Sequence, residues 1–166
     1  VQDLGPIVQE SVQLLRATLP AVARLECRAA PQPLPVLCDA MHLQQVLMNL
    51  CTNAWQALRG SSGRIEVGVA EARFEPGGPR PAGASTGPHA HVWVSDDGCG
   101  MDAAALARIF EPFYTTKPVD QGTGLGLSVV HGIVTAHGGA IEVESEPGRG
   151  STFHLYFPLV AAAEDG

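Results

Sequence analysis

The chain has 166 residues, 45% of them hydrophobic, with 17 acidic and 10 basic side chains and a formal charge of −7 at neutral pH. That length suits one domain around a single core. The basic residues are scattered, which excludes the clustered Lys/Arg footprint of a nucleic-acid partner, and no apolar run approaches the ~18 residues of a membrane span. Cys27, Cys38, Cys51 and Cys99 show neither CxxC pairing nor histidines at zinc-finger spacing. Free thiols in a soluble, cytoplasmic protein fit that pattern. The opening VQDLGPIVQE lacks an initiator Met and a signal-like stretch, so an excised or processed piece is expected.

In chain order, Leu4, Ile7, Val8, Val12, Leu15 and Leu19 recur at helical spacing, with Pro6 in the first turn and Pro20 as a stop. Val22 to Ala29 alternates as a half-buried strand, and a Pro-rich stretch leads to a short extended piece at Val36 to Cys38. Asp39 is placed to cap a helix running to about Leu58, with Leu43, Val46, Leu47, Leu50, Ala54 and Leu58 as its apolar stripe. Arg64 to Phe74 and His91 to Ser95 alternate as strands. Between them EPGGPRPAGASTGPHA predicts a long, exposed and mobile loop. A short helix over Asp102 to Ile109, a helix from about Leu125 to His137, and strands at Ala140 to Ser145 and Ser151 to Pro158 complete a two-layer α/β (α+β) sandwich. The expected organisation is one domain over residues 1–160 with a frayed tail, 161–166.

Four stretches carry candidate chemistry. Asn49 and Asn53, four apart, share one face of the second helix; their amide oxygens are hard ligands suited to Mg²⁺, although solvent-facing amides would look the same. In VSDDGCGM a strand ends in Asp96 and is followed by Gly98 and Gly100. A carboxylate fixed there can accept a hydrogen bond from an exocyclic amine, with glycines permitting close approach, and a simple turn is the alternative. In GTGLGLSVVHGIV, Gly122, Gly124 and Gly126 run into a helix whose N-terminal amides favour a phosphate. A dinucleotide fold would need this fingerprint after the first strand of a βαβ unit, and a P-loop would end in GK[ST]; neither frame is present. HRD and DFG segments are absent too, which rejects a Ser/Thr-type kinase. In IFEPFYTTK, Ile109, Phe110 and Phe113 can pack the segment down while Lys117 reaches out as a cation suited to a phosphate. His42, His131, His137 and His154 read as structural. His89 and His91, at a strand entrance, lack a third metal ligand.

Taken in order, LQQVLMNLCTNAWQAL, DDGCG, FEPFYTTK and GTGLGL resemble the asparagine, first glycine, phenylalanine and second glycine boxes of sensor histidine kinases. The likeness covers Asp39 to Pro158, including HGGAIEVESEPGRGSTFHLYFPL, which is similar to the family's closing hairpin. It implies the Bergerat ATP-binding fold shared with DNA gyrase, mismatch-repair ATPases and heat-shock chaperones: a mixed, mainly antiparallel sheet packed on helices, with adenine buried and a lid over the phosphates. By motif position, the resemblance assigns Asp96, with Gly98 and Gly100 beside it, to the adenine amine. Asn53 and Asn49 go to Mg²⁺, and Gly122, Thr123, Gly124, Leu125 and Gly126 to the lid. Lys117 goes to the outer phosphates, and either Ser151 or Thr152 supplies a hydroxyl near adenine. Asn53 and Lys117 are the residues implied in catalysis. Gln56 departs from the basic residue that often follows the second asparagine.

Hydrolytic members of the superfamily carry Glu four residues before the metal asparagine, where this chain has Asn49. An amide is no general base at neutral pH, so phosphotransfer is favoured over hydrolysis. The resemblance therefore implies an ATP-dependent protein histidine kinase domain of two-component signalling. Its acceptor histidine sits on a separate dimerisation domain, its parent is a homodimer, membrane-anchored or not, and a response regulator lies downstream. A nucleotide-responsive binding module without phosphotransfer is the alternative.

Overall fold

The computed structural model describes residues 2–18, 23–28, 32–58, 63–81, 83–110 and 126–160. Helix α1 (Leu4–Thr18) buries Leu4, Val8, Val12 and Leu15, the stripe its spacing predicts. Helix α2 (Ala40–Ala57) begins where Asp39 Oδ1 accepts the Met41 N–H at 2.9 Å, satisfying one of the donors a helix start leaves open. It buries Leu43, Val46, Leu47, Leu50, Cys51 and Ala54. The short helix α3 (Ala103–Leu106) is capped by Asp102, and its continuation towards Phe110 is turns rather than helix. Helix α4 (Gly126–Ala136) buries Val130 and Val134. No helix among the described residues is long and apolar enough to cross a membrane.

These helices share a core with one face of a five-stranded sheet. The strands are β2 (Ala23–Arg28), β4 (Gly63–Phe74), β5 (Gly87–Asp96), β6 (Ala140–Glu146) and β7 (Gly150–Pro158), in spatial order β2-β4-β5-β7-β6. Only the β2–β4 pair is parallel, so the sheet is mixed and mainly antiparallel, as the family resemblance implies. Ile65, Val67 and Val69, then Ala90, Val92 and Val94, then Phe153, Leu155 and Phe157 alternate onto the core face.

Two features depart from the sequence reading. A two-stranded sheet pairs β1 (Gln2–Asp3) with β3 (Pro35–Val36), so the extended piece expected at Val36 to Cys38 starts one residue earlier and ends sooner. The Gly/Pro loop is also shorter and less exposed than expected, because β5 starts at Gly87 and pairs Pro88, His89 and Ala90 with Arg73, Ala72 and Glu71. Pro81 and Ala84 are buried, and so is His89. The imidazole of His89 tolerates burial because Gly87 O lies 2.9 Å from Nδ1 and Ser85 Oγ 3.3 Å from Nε2. The tail at 161–166 lies outside the described residues.

Candidate active site

Asp96 is the last residue of β5 and continues the alternation of Ala90, Val92 and Val94, so its side chain points to the helix side and is only 7% exposed. Its Oδ1 accepts the Gly98 N–H at 2.8 Å, and the Ser151 main-chain N–H also faces the carboxylate. Burial pushes this carboxyl up to about 6, against the pull of those two N–H groups and with a small push from Asp97. Among the described residues Asp96 has no ion pair. A buried carboxylate held by main-chain N–H groups alone is an acceptor suited to a neutral donor such as an aromatic amine.

The turn after Asp96 is wedged between α2 and the β6–β7 hairpin. Asp97 Oδ1 accepts the Arg64 N–H at 2.9 Å, Cys99 donates its N–H to Ala57 O at 3.0 Å, and Gly148 donates to Cys99 O at 2.7 Å. A Cβ on Gly98 would lie 2.6 Å from Ala57 O, so this glycine serves packing against α2. Gly100 has φ +70°, and a Cβ there would collide with Glu146 O; Gly150, at φ +100°, sits the same way against Asp96 O. These two glycines let the turn and the hairpin close on each other.

The Asp96–Ser151 register resolves the geometry of the GRGST segment. Directly paired residues project to the same face, so Ser151, 6% exposed, shares the helix side with Asp96. Thr152 turns to the other face, where its hydroxyl lies 2.9 Å from Ser95 Oγ. Ser145, which the sequence reading passed over, ties the corner together: its Oγ accepts the Met101 N–H at 2.7 Å and lies 2.8 Å from Ser151 Oγ. Its only sequence signal was a Ser at the end of a strand otherwise ending in glutamates.

Asn49, Asn53 and Ala57 follow one another at four-residue spacing along α2 and so form one line on its surface. At one end Asn49 Nδ2 donates to Gly126 O at 3.2 Å, at the first residue of α4, while its Oδ1 accepts from Gln45 Nε2 at 2.7 Å. At the other end Ala57 meets Gly98 and Cys99. Asn53 therefore stands between the start of α4 and the Asp96 turn. The structure brings Asn49, Asn53, Asp96, Gly98, Gly100, Gly126 and Ser151 around one side of α2. Lys117, Gly122, Thr123, Gly124 and Leu125 lie outside the described residues. No cluster of three or more His, Cys, Asp or Glu able to hold a metal occurs among the described residues, and the oxygens that α2 offers here are the amides of Asn49 and Asn53. His91 is not a ligand pair with His89: it bonds across the sheet to His154, 2.9 Å away.

Residues 38–161 match the family of histidine kinase-, DNA gyrase B- and HSP90-like ATPases, and the chain belongs to it. Within that family its likeness is to sensor kinases. The sensor histidine kinase ZraS of Escherichia coli (strain K12) is 38% identical over 165 residues, which is 98% of this chain and 32% of that protein. Sporulation kinase E of Bacillus subtilis (strain 168) is 37% identical over 131 residues, 79% of this chain and 16% of that one. The chain thus spans about a third or less of the length of these relatives. Among solved structures, the nucleotide-free catalytic domain of histidine kinase ThkA superposes with a TM-score of 0.75 at 27% identity, covering 95% of this chain and 93% of that one. Full-length ShkA in complex with AMPPNP gives 0.73 at 27% identity, covering 98% of this chain and 31% of ShkA. The two-layer fold is that of histidine kinase catalytic domains.

Proposed function

We propose that residues 1–160 form one catalytic domain that binds Mg-ATP and presents the γ-phosphate to a histidine on a dimerisation domain of its parent kinase, for two-component signalling through a response regulator. The observation that carries this is the line Asn49–Asn53–Ala57 on α2, ending against the turn of the buried carboxylate Asp96. The donor set fits the nucleotide. Asp96 accepts the adenine amine and Ser151, rather than Thr152, sits beside it, because only Ser151 shares the face of Asp96. Gly98 and Gly100 hold the turn that positions this carboxylate.

Asn53 and Asn49 offer Mg²⁺ neutral oxygens, which add no negative charge beside a triphosphate. The ion, when bound, neutralises charge on the phosphates. The chain's own work is orientation and electrostatics: Asn49 ties α2 to the start of α4, and motif position assigns Gly122, Thr123, Gly124, Leu125 and Gly126 to a lid and Lys117 to the outer phosphates. Asn49 stands where a water-activating carboxylate would make the site hydrolytic, and its amide is no base, so transfer to a protein nucleophile is the favoured reaction. The reaction is placed in the cytoplasm, in a homodimeric parent.

The test is phosphotransfer in the parent kinase with Asn53→Ala. Transfer at saturating Mg-ATP should fall by at least ~100-fold, while Mg-free nucleotide affinity changes less than about threefold. Unchanged transfer would remove Asn53 from the site.

A further inference from the structure

The sheet face turned away from the helices carries a strip of large rings. Trp93 and His91 of β5, and His154 and Tyr156 of β7, stand on it partly buried. The Trp93 indole lies across Gly68, where any Cβ would collide with the ring, and donates Nε1–H to Glu66 at 2.8 Å. His91 stacks on Tyr156 with ring centroids 4.7 Å apart. A relay joins His91 Nε2 to His154 Nδ1 at 2.9 Å, and His154 Nε2 to Glu144 at 2.9 Å. Because these polar atoms find partners within the sheet, flat ring surface is what remains to present outward.

Charge flanks the strip asymmetrically. Arg24 and Arg28 are exposed on edge strand β2, and Glu142, Glu144 and Glu146 on edge strand β6. We propose that this face is a self-association surface on which a second copy of the chain packs sheet to sheet, about a two-fold axis running along β5.

The central position of β5 makes such an axis productive. It lays β2 over β6 of the second copy and β4 over its β7, and it preserves height along the strands. Arg28 pairs with Gly68, Gly68 with Trp93, Trp93 with His154 and His154 with Glu142, so Arg28 and Glu142 stand at one height on opposite edges. The dimer brings each Arg28 over Glu142 of the second copy. One residue beyond the Ile65–Asp96–Ser151 row, Arg24 pairs with Arg64 and Glu146 with Gly150, which sets Arg24 near the height of Glu146, and small Ala70 meets bulky Tyr156. Trp93 meets its own counterpart at the axis. One like-charged pair, Glu26 and Glu144, is brought to a common height; within each sheet Arg64 pairs with Glu26 at 2.8 Å, and Glu144 lies 2.9 Å from His154 Nε2. Sheets stacked face to face lie ~10 Å apart, and an axis along β5 keeps the two central strands parallel.

Five strands at a spacing of about 4.8 Å, each contributing about seven residues at ~3.3 Å, make a face of roughly 24 by 23 Å. Two copies bury on the order of 1,100 Å², the low end for a specific interface, so the dimer is weak and concentration-dependent. It is separate from any contact made through a dimerisation domain.

Sedimentation velocity of the 166-residue chain over a series up to millimolar concentration tests this. The weight-average mass should climb from 17.3 kDa towards twice that value, less so at high salt. Glu142→Arg and Arg28→Glu should each weaken association about tenfold, and the two together in one chain should restore it, with circular dichroism verifying the fold of each variant. A mass of 17.3 kDa at every concentration overturns the proposal. So does a dimer indifferent to both reversals, or one that the combined variant does not restore.

Discussion

Asp96→Asn should strengthen the fold while weakening nucleotide binding. Burial raises this carboxyl from 3.8 to about 6, so its ionised form is disfavoured in the folded chain. At ~1.4 kcal/mol per pKa unit, ionised Asp96 costs the fold about 3 kcal/mol at neutral pH relative to the unfolded chain. The folded state holds the proton more tightly between these two values. The stability tied to Asp96 is therefore complete below about pH 4 and is lost as pH rises through about 6. An asparagine carries no such charge, and its Oδ1 can still accept the Gly98 N–H, although burying two amide protons takes back part of the gain. The net expectation is a gain of about 1–3 kcal/mol at pH 7, or roughly 2–10 °C in Tm, vanishing near pH 4. Affinity for an ATP analogue should fall about 10- to 150-fold, the worth of a hydrogen bond to a charged group. Urea titrations at pH 4, 5, 6 and 7, paired with calorimetric binding, measure both. A variant less stable than the parent chain at pH 7, or one with an unchanged pH slope, would refute the assignment of Asp96 as a carboxylate kept for its ligand at a cost to the fold.

Ser151→Ala should lower nucleotide affinity several-fold, whereas Thr152→Ala, on the opposite face, should leave it within about twofold; equal effects in titration calorimetry would discount the register argument. Gly100→Ala should destabilise the chain by about 2–4 kcal/mol in urea, because φ +70° strains any Cβ and Glu146 O occupies its place. The Cys51 thiol is buried and pushed up to about 12, so it should escape iodoacetamide at pH 8 in the folded chain and react only after unfolding, as peptide mass mapping would show.

The helices were legible because their apolar residues recur on one side, as with Leu43, Val46, Leu47, Leu50 and Ala54, and because Asp39 supplies a start signal with a mechanism. The strands were legible from alternation in β4 and β7, whereas the mixed pairing of the sheet came with the family resemblance, because alternation does not distinguish a parallel neighbour from an antiparallel one. The two-residue strands β1 and β3 offer no period to detect, and Gly87–Ala90 reads as loop chemistry until the β4 and β7 ladders on either side enlist it. Within the site, Asp96 and the α2 asparagines were visible as types at a spacing. The choice between Ser151 and Thr152 was not, because it depends on which residue lies opposite Asp96 across two strands. Ser145 escaped for a similar reason: its partners Met101, Gly150 and Ser151 come together only when the hairpin folds over the turn.

Calorimetric titration of the chain with a non-hydrolysable ATP analogue, with and without Mg²⁺, bears most directly on the nucleotide site proposed between α2 and Asp96. Saturable one-to-one binding, tightened by Mg²⁺ in the parent chain but not in Asn53→Ala, is the predicted result. No heat of binding at millimolar analogue, or binding indifferent to Asp96→Asn and to Mg²⁺ alike, would contradict it.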